Sequence, residues 1–73
     1  MKGGITMVRH PVSSSRIANL GWENNVLEIQ FHNGKIYQYY DVTIDEYNAF
    51  MSSPSLGSAL SKLDKVHTYR PIN

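Results

Sequence analysis

The residues of this chain best equipped for chemistry are a serine run, three histidines and a scatter of tyrosines and cations. Ser13, Ser14 and Ser15 follow His10 closely, and hydroxyl, imidazole and an acid are the parts of a hydrolytic triad. A triad is defined by spatial roles, however, and no nucleophile elbow surrounds these serines. Hydroxyls that bond the backbone at the start of a strand account for the run without catalysis. His10, His32 and His67 match no metal-ligand spacing, and without cysteine neither a thiolate site nor a disulfide can form. Gly3-Gly4 precedes no strand-to-helix turn and so forms no phosphate cradle. The pattern predicts no enzyme, no metal and no cofactor. Surfaces remain. Arg16, Lys62, Lys65 and Arg70 are candidate phosphate contacts, provided the first strand meets the second helix and the tail. Trp22, Tyr40 and Tyr69 are candidate contact residues for a partner.

The length sets the terms on which such surfaces are displayed. Seventy-three residues make one domain. A chain this short buries only about 60% of its unfolded surface, so its margin of stability is thin. With disulfides excluded, pairing with a second copy is the remaining staple, and a homodimer is expected on that ground. No apolar run approaches the ~18 residues of a spanning helix. Met1 to Arg9 lacks an apolar core and reads as a flexible lead-in, with the domain proper at residues 10–73. The absence of cysteine is compatible with the cytoplasm, the expected location. Net charge is +1, with basic residues towards both ends and an acidic middle.

The elements that must position these residues can be read from periodicity. Leu27 to Phe31 and Ile36 to Tyr39 alternate on either side of Asn33-Gly34, the strongest short-range sign of a β-hairpin. A two-residue turn would pair Ile29 with Gln38 and mix polar with apolar residues on one face. A three-residue loop, His32-Asn33-Gly34, pairs Ile29 with Tyr37 and Leu27 with Tyr39 instead, so that Leu27, Ile29, Phe31, Tyr37 and Tyr39 share a face. The second register predicts a type I turn with a G1 bulge and a left-handed Gly34. Tyr37 and Tyr39 then belong to the core, and Tyr40 falls on the opposite face. Upstream, Ser14 to Trp22 reads as a strand with a bulge or bend near Asn19-Leu20-Gly21, turning back at Glu23-Asn24-Asn25.

After Val42 the period changes. Thr43-Ile44-Asp45-Glu46 is a capping box for a helix with Ile44, Tyr47 and Met51 on one stripe and Phe50 beside them. Ser52-Ser53-Pro54 stops it, and Ser55 caps a second helix that buries Leu56, Ala59, Leu60 and Leu63. Val66 to Ile72 has strand-like spacing, and Pro71 confines that strand to an edge. The expected fold is α+β: a three-stranded antiparallel meander, two short helices packed on one face, and a short C-terminal edge strand.

Pro11-Val12-Ser13-Ser14-Ser15-Arg16-Ile17, Leu20-Gly21-Trp22, the Phe31-x-Asn33-Gly34-x-x-Tyr37-x-Tyr39 run and Val42 together resemble the KTSC domain. That family is named for its occurrence at the C-terminus of some lysyl-tRNA synthetases, and also includes free-standing small proteins of bacteria and phages. The resemblance spans about Pro11 to Arg70. It implies a binding module, with RNA suggested as ligand by the synthetase connection. Members often carry a basic, asparagine-containing segment after a Ser-x-Gly, where this chain reads Ser55-Leu56-Gly57-Ser58-Ala59-Leu60-Ser61-Lys62-Leu63. Trp22 stands where tyrosine is commoner. The apolar replacement in that segment motivates a second expectation, a homodimeric protein-interaction module or inhibitor, phage-borne and directed at a host protein.

Overall fold

The computed structural model describes residues 7–73, which form strands β1 (His10–Pro11), β2 (Ile17–Glu23), β3 (Val26–Phe31), β4 (Ile36–Tyr39) and β5 (Tyr69–Pro71). Helices α1 (Ile44–Met51) and α2 (Leu56–Val66) lie between β4 and β5 in the chain. The strands make one antiparallel sheet in the order β1-β2-β3-β4-β5. The three-stranded meander read from the sequence understates this five-stranded sheet. β1 has only two residues, one of them a proline, so no alternation marks it. The C-terminal strand is at an edge, beside β4.

The central hairpin has the register that the side chains require. Leu27 pairs with Tyr39 and Ile29 with Tyr37. The Phe31 amide donates to Lys35 O and the Gly34 amide to Phe31 O, both at 2.9 Å, and Gly34 sits at φ 92°. The preceding hairpin turns tightly at Asn24 and Asn25, both at positive φ. The bulge expected near Asn19-Leu20-Gly21 is present in β2, and it falls just before that stretch, between Ile17 and Asn19. The extra residue, Ala18, shifts the parity, and this is why Ile17 and Leu20 are both buried although three positions apart. Gly21 has a different reason to be small: a Cβ there would collide with the backbone of Val8.

That contact locates the N-terminal segment. Residues 1–6 of the expected lead-in lie outside the described residues, but the backbone of Val8 and Arg9 lies close against Gly21 of the sheet. Arg9 donates from Nε to Asn19 Oδ1 at 2.7 Å and pairs through Nη1 with Glu28, a fully buried carboxylate. Gln38 Nε2 donates to the other Glu28 oxygen at 2.8 Å, and the Tyr40 hydroxyl to Gln38 Oε1 at 2.9 Å. A buried carboxylate is tolerable only when paired and bonded in this way.

The opposite face carries the core. Ile17, Leu20, Leu27, Ile29 and Tyr39 of the sheet are buried together with Val42, Phe50 and Leu60, and Leu56, Ala59 and Leu63 pack against them. Thr43 caps α1 with both bonds of the box: its Oγ1 accepts from the Glu46 amide, and Glu46 Oε1 accepts from the Thr43 amide. Ser55 caps α2 by accepting from the Ser58 amide. Two apolar residues depart from expectation. Ile44 is exposed, because it occupies the first turn of α1, beyond the edge of the core. Val66 ends α2 and does not open the tail strand. The ring of His67, next in the chain, bridges Tyr40 O at 3.0 Å and Glu46 Oε2 at 2.7 Å, fastening the end of α2 to the first turn of α1.

Candidate functional site

A cleft of about 440 Å³ opens on the helix side of the sheet, where β4, the β3–β4 turn, β5 and α2 surround the start of β2. Its wall is aromatic. Phe31 meets Tyr37 edge-on at 5.5 Å between centroids, Tyr37 lies 5.7 Å from Tyr69, and Tyr69 stacks on Tyr39 at 4.9 Å. These contacts arise from the register: alternate residues of neighbouring strands fall on the same face. Tyr39 is only 2% exposed, whereas Tyr69 is 42% exposed and offers a free ring surface. Tyr37 is half-buried between them.

Polar groups line the rest. Arg16 Nη1 donates to Gly57 O at 3.0 Å and to Ser61 Oγ at 3.1 Å, and its guanidinium lies 5.8 Å from the Phe31 ring centroid. A Cβ at Gly57 would stand 3.1 Å from Arg16 Cδ, so the glycine makes room for the arginine against the helix. Lys35 and His32 enter from the hairpin turn. His32 Nε2 donates to Ser14 O at 2.7 Å, and Ser14 Oγ accepts from the Arg16 and Ile17 amides, both at 3.2 Å. Ser14 is therefore occupied with backbone at the start of a strand. Asp64 reaches the cleft from α2 and accepts the Tyr39 hydroxyl at 2.6 Å. Burial, and then the bond to Asp64, push the Tyr39 phenol well above its ordinary range, so it stays protonated.

A model of the KTSC domain family matches residues 13–67. The chain belongs to the KTSC domain family. The crystal structure of a KTSC domain protein from Yersinia pestis is similar to it, with a TM-score of 0.81 and 40% identity, covering 93% of this chain and 100% of that one. An uncharacterized protein of Stutzerimonas stutzeri (strain A1501) is 32% identical over 66 residues, or 88% of this chain and 93% of its own length. The span matched to the KTSC family holds Arg16, Phe31, Lys35, Tyr37, Tyr39 and Asp64, and ends just short of Tyr69.

In this KTSC domain the four cations singled out in the sequence do not converge. Arg16 lines the cleft. Lys62 and Lys65 are exposed on α2 and do not line it. Arg70 alternates away from Tyr69 to the outer face, with its guanidinium 6.0 Å from the Tyr40 ring centroid. Of the three aromatic candidates, Tyr69 is in the cleft. Tyr40 is half-buried under Arg70, and Trp22 is half-buried, stacked on Tyr47 at 5.8 Å with its indole N–H donating to Val42 O at 2.8 Å. Of the apolar residues that suggested a protein-contact surface, Leu60 is buried in the core of the KTSC domain, and Leu56, Ala59 and Leu63 are half-buried against it. Phe31, Lys35 and Asp64 were not singled out beforehand. Phe31 and Lys35 flank the Asn-Gly turn, a position that could have marked them.

Proposed function

We propose that this KTSC domain is a non-enzymatic binding module that takes single-stranded RNA in the aromatic cleft. One observation carries the reading: the exposed ring of Tyr69 and the half-buried Tyr37 stand beside Arg16 and Lys35 in one concavity. Aromatic rings accept bases of any sequence by stacking, and the neighbouring cations take phosphate. A splayed single strand presents the base faces that such a cleft requires, and a duplex does not. The family's occurrence beside lysyl-tRNA synthetases supports RNA, and a cytoplasmic setting follows from that ligand.

The reading is tested by fluorescence anisotropy with a labelled single-stranded RNA at low salt. Tyr69→Ala should weaken binding by about 1–3 kcal/mol, the worth of one stacked base, and Arg16→Ala should weaken it further. Lys62→Glu should leave affinity within a small factor of wild type. Absence of binding at tens of micromolar protein would overturn the proposal, as would equal affinity of wild type and Tyr69→Ala.

A further inference from the structure

The cleft also contains an acid, and it is held in an unusual way. Asp64 enters from α2 and lines the cleft together with the cations and the aromatic wall, with one carboxylate oxygen fixed by the hydroxyl of the buried Tyr39 at 2.6 Å. A phenol that keeps its proton is a constant donor at that point. The carboxylate is therefore oriented from below, and its remaining lone pairs can only accept.

The ligand must meet three demands at once: a π-face for Tyr37 and Tyr69, negative charge for Arg16 and Lys35, and hydrogen-bond donors for Asp64. A cationic peptide side chain satisfies the acid and the rings, but it faces two cations against one carboxylate. A nucleotide satisfies all three. Among the bases, guanine presents two adjacent donors, N1–H and the 2-amino group, which a carboxylate accepts as a pair. Adenine and cytosine set their amino group beside an acceptor nitrogen, and uracil sets its N3–H between two carbonyls, so each turns an acceptor towards the carboxylate. We infer that Asp64, anchored by Tyr39, makes the aromatic cleft a guanine-preferring subsite for single-stranded RNA, an inference that rests on the RNA-binding reading above.

The test compares short single-stranded RNAs of equal length, all uridine except for a central guanosine, adenosine or inosine, by fluorescence anisotropy. Inosine keeps N1–H and lacks the 2-amino group. Wild type should bind the guanosine RNA roughly tenfold or more tightly than the adenosine RNA, within the range of a good paired contact to one base. Inosine should fall between. Asp64→Asn keeps an acceptor for the Tyr39 hydroxyl and so keeps the fold, which the melting temperature checks. It should erase the guanosine preference, so that the guanosine, inosine and adenosine RNAs bind the variant with one affinity. Equal binding of all the RNAs by wild type would overturn the inference while leaving the RNA-binding reading intact. An equal loss for every RNA in Asp64→Asn, with a lowered melting temperature, would also overturn it, since the carboxylate would then be structural. No binding to any RNA overturns both, and so does capture of an arginine-rich peptide in place of RNA.

Discussion

Glu46 shows how much can converge on one side chain. It completes the α1 capping box with one oxygen and meets the ring of His67 with the other. The Thr43 amide first, and the His67 bond second, hold its carboxyl below the ordinary value of 4.5. A carboxylate whose folded-state pKa is depressed stabilises the fold above its unfolded-state pKa, and that contribution disappears as pH falls through the folded value. Glu46→Gln should therefore be less stable than wild type at neutral pH, and the gap should close as the solution is acidified below the ordinary glutamate range. Urea unfolding at neutral and acid pH measures it. The side chain is 39% exposed, so the effect is modest. At the same scale the cleft depends on residues whose roles differ: Tyr39 is buried and orients Asp64, while Tyr69 faces solvent and is free to stack.

Among the elements, the β3–β4 hairpin and α2 matter most to the site. Gly34 holds φ 92° at the hairpin turn, a region closed to side chains. Gly34→Val should cost about 1–2 kcal/mol by urea unfolding, and by disturbing the turn it should also displace Lys35 and weaken RNA binding. Gly57→Ala separates the two quantities. Helix propensity favours alanine by roughly 0.5–1 kcal/mol, while the new methyl meets Arg16 Cδ, which must shift. Stability should stay near wild type and RNA affinity should fall. Loss of stability without loss of affinity would show that Arg16 does not act from this position.

The same elements show what could be read in advance. The hairpin register was legible because only one pairing puts the apolar residues on a common face, and both helix caps were legible in Thr43-x-x-Glu46 and Ser55. The exact place of the β2 bulge was not, because Gly21 drew attention to itself while its smallness serves the close approach of Val8. β1 was hidden by its length. The cleft is assembled from four separate stretches of chain, so its aromatic row could be inferred strand by strand but not its meeting with Arg16 and Asp64. Arg70 parted from Tyr69 through strand alternation, a rule that depends on knowing where β5 begins.

For the whole molecule, the count of engaged cations decides between two pictures of binding. Each phosphate neutralised on a single strand contributes a slope of about −0.7 to log affinity against log salt. Arg16 and Lys35 acting together give about −1.4, whereas engagement of Arg16, Lys62, Lys65 and Arg70 would give about −2.8. An anisotropy titration across salt concentrations should return the shallower slope. With a net charge of only +1, little long-range attraction is available, so under the proposed RNA-binding reading base stacking supplies most of the affinity.

One feature of the sheet bears on how such molecules behave in company. β1 and β5, its two outermost strands, each contain a proline, Pro11 and Pro71. A proline offers no amide hydrogen to an incoming strand, so neither border is a template for a neighbour's backbone. Many copies crowded together can therefore stand shoulder to shoulder without zipping into a continuous ribbon, and each keeps its own cleft open to solvent.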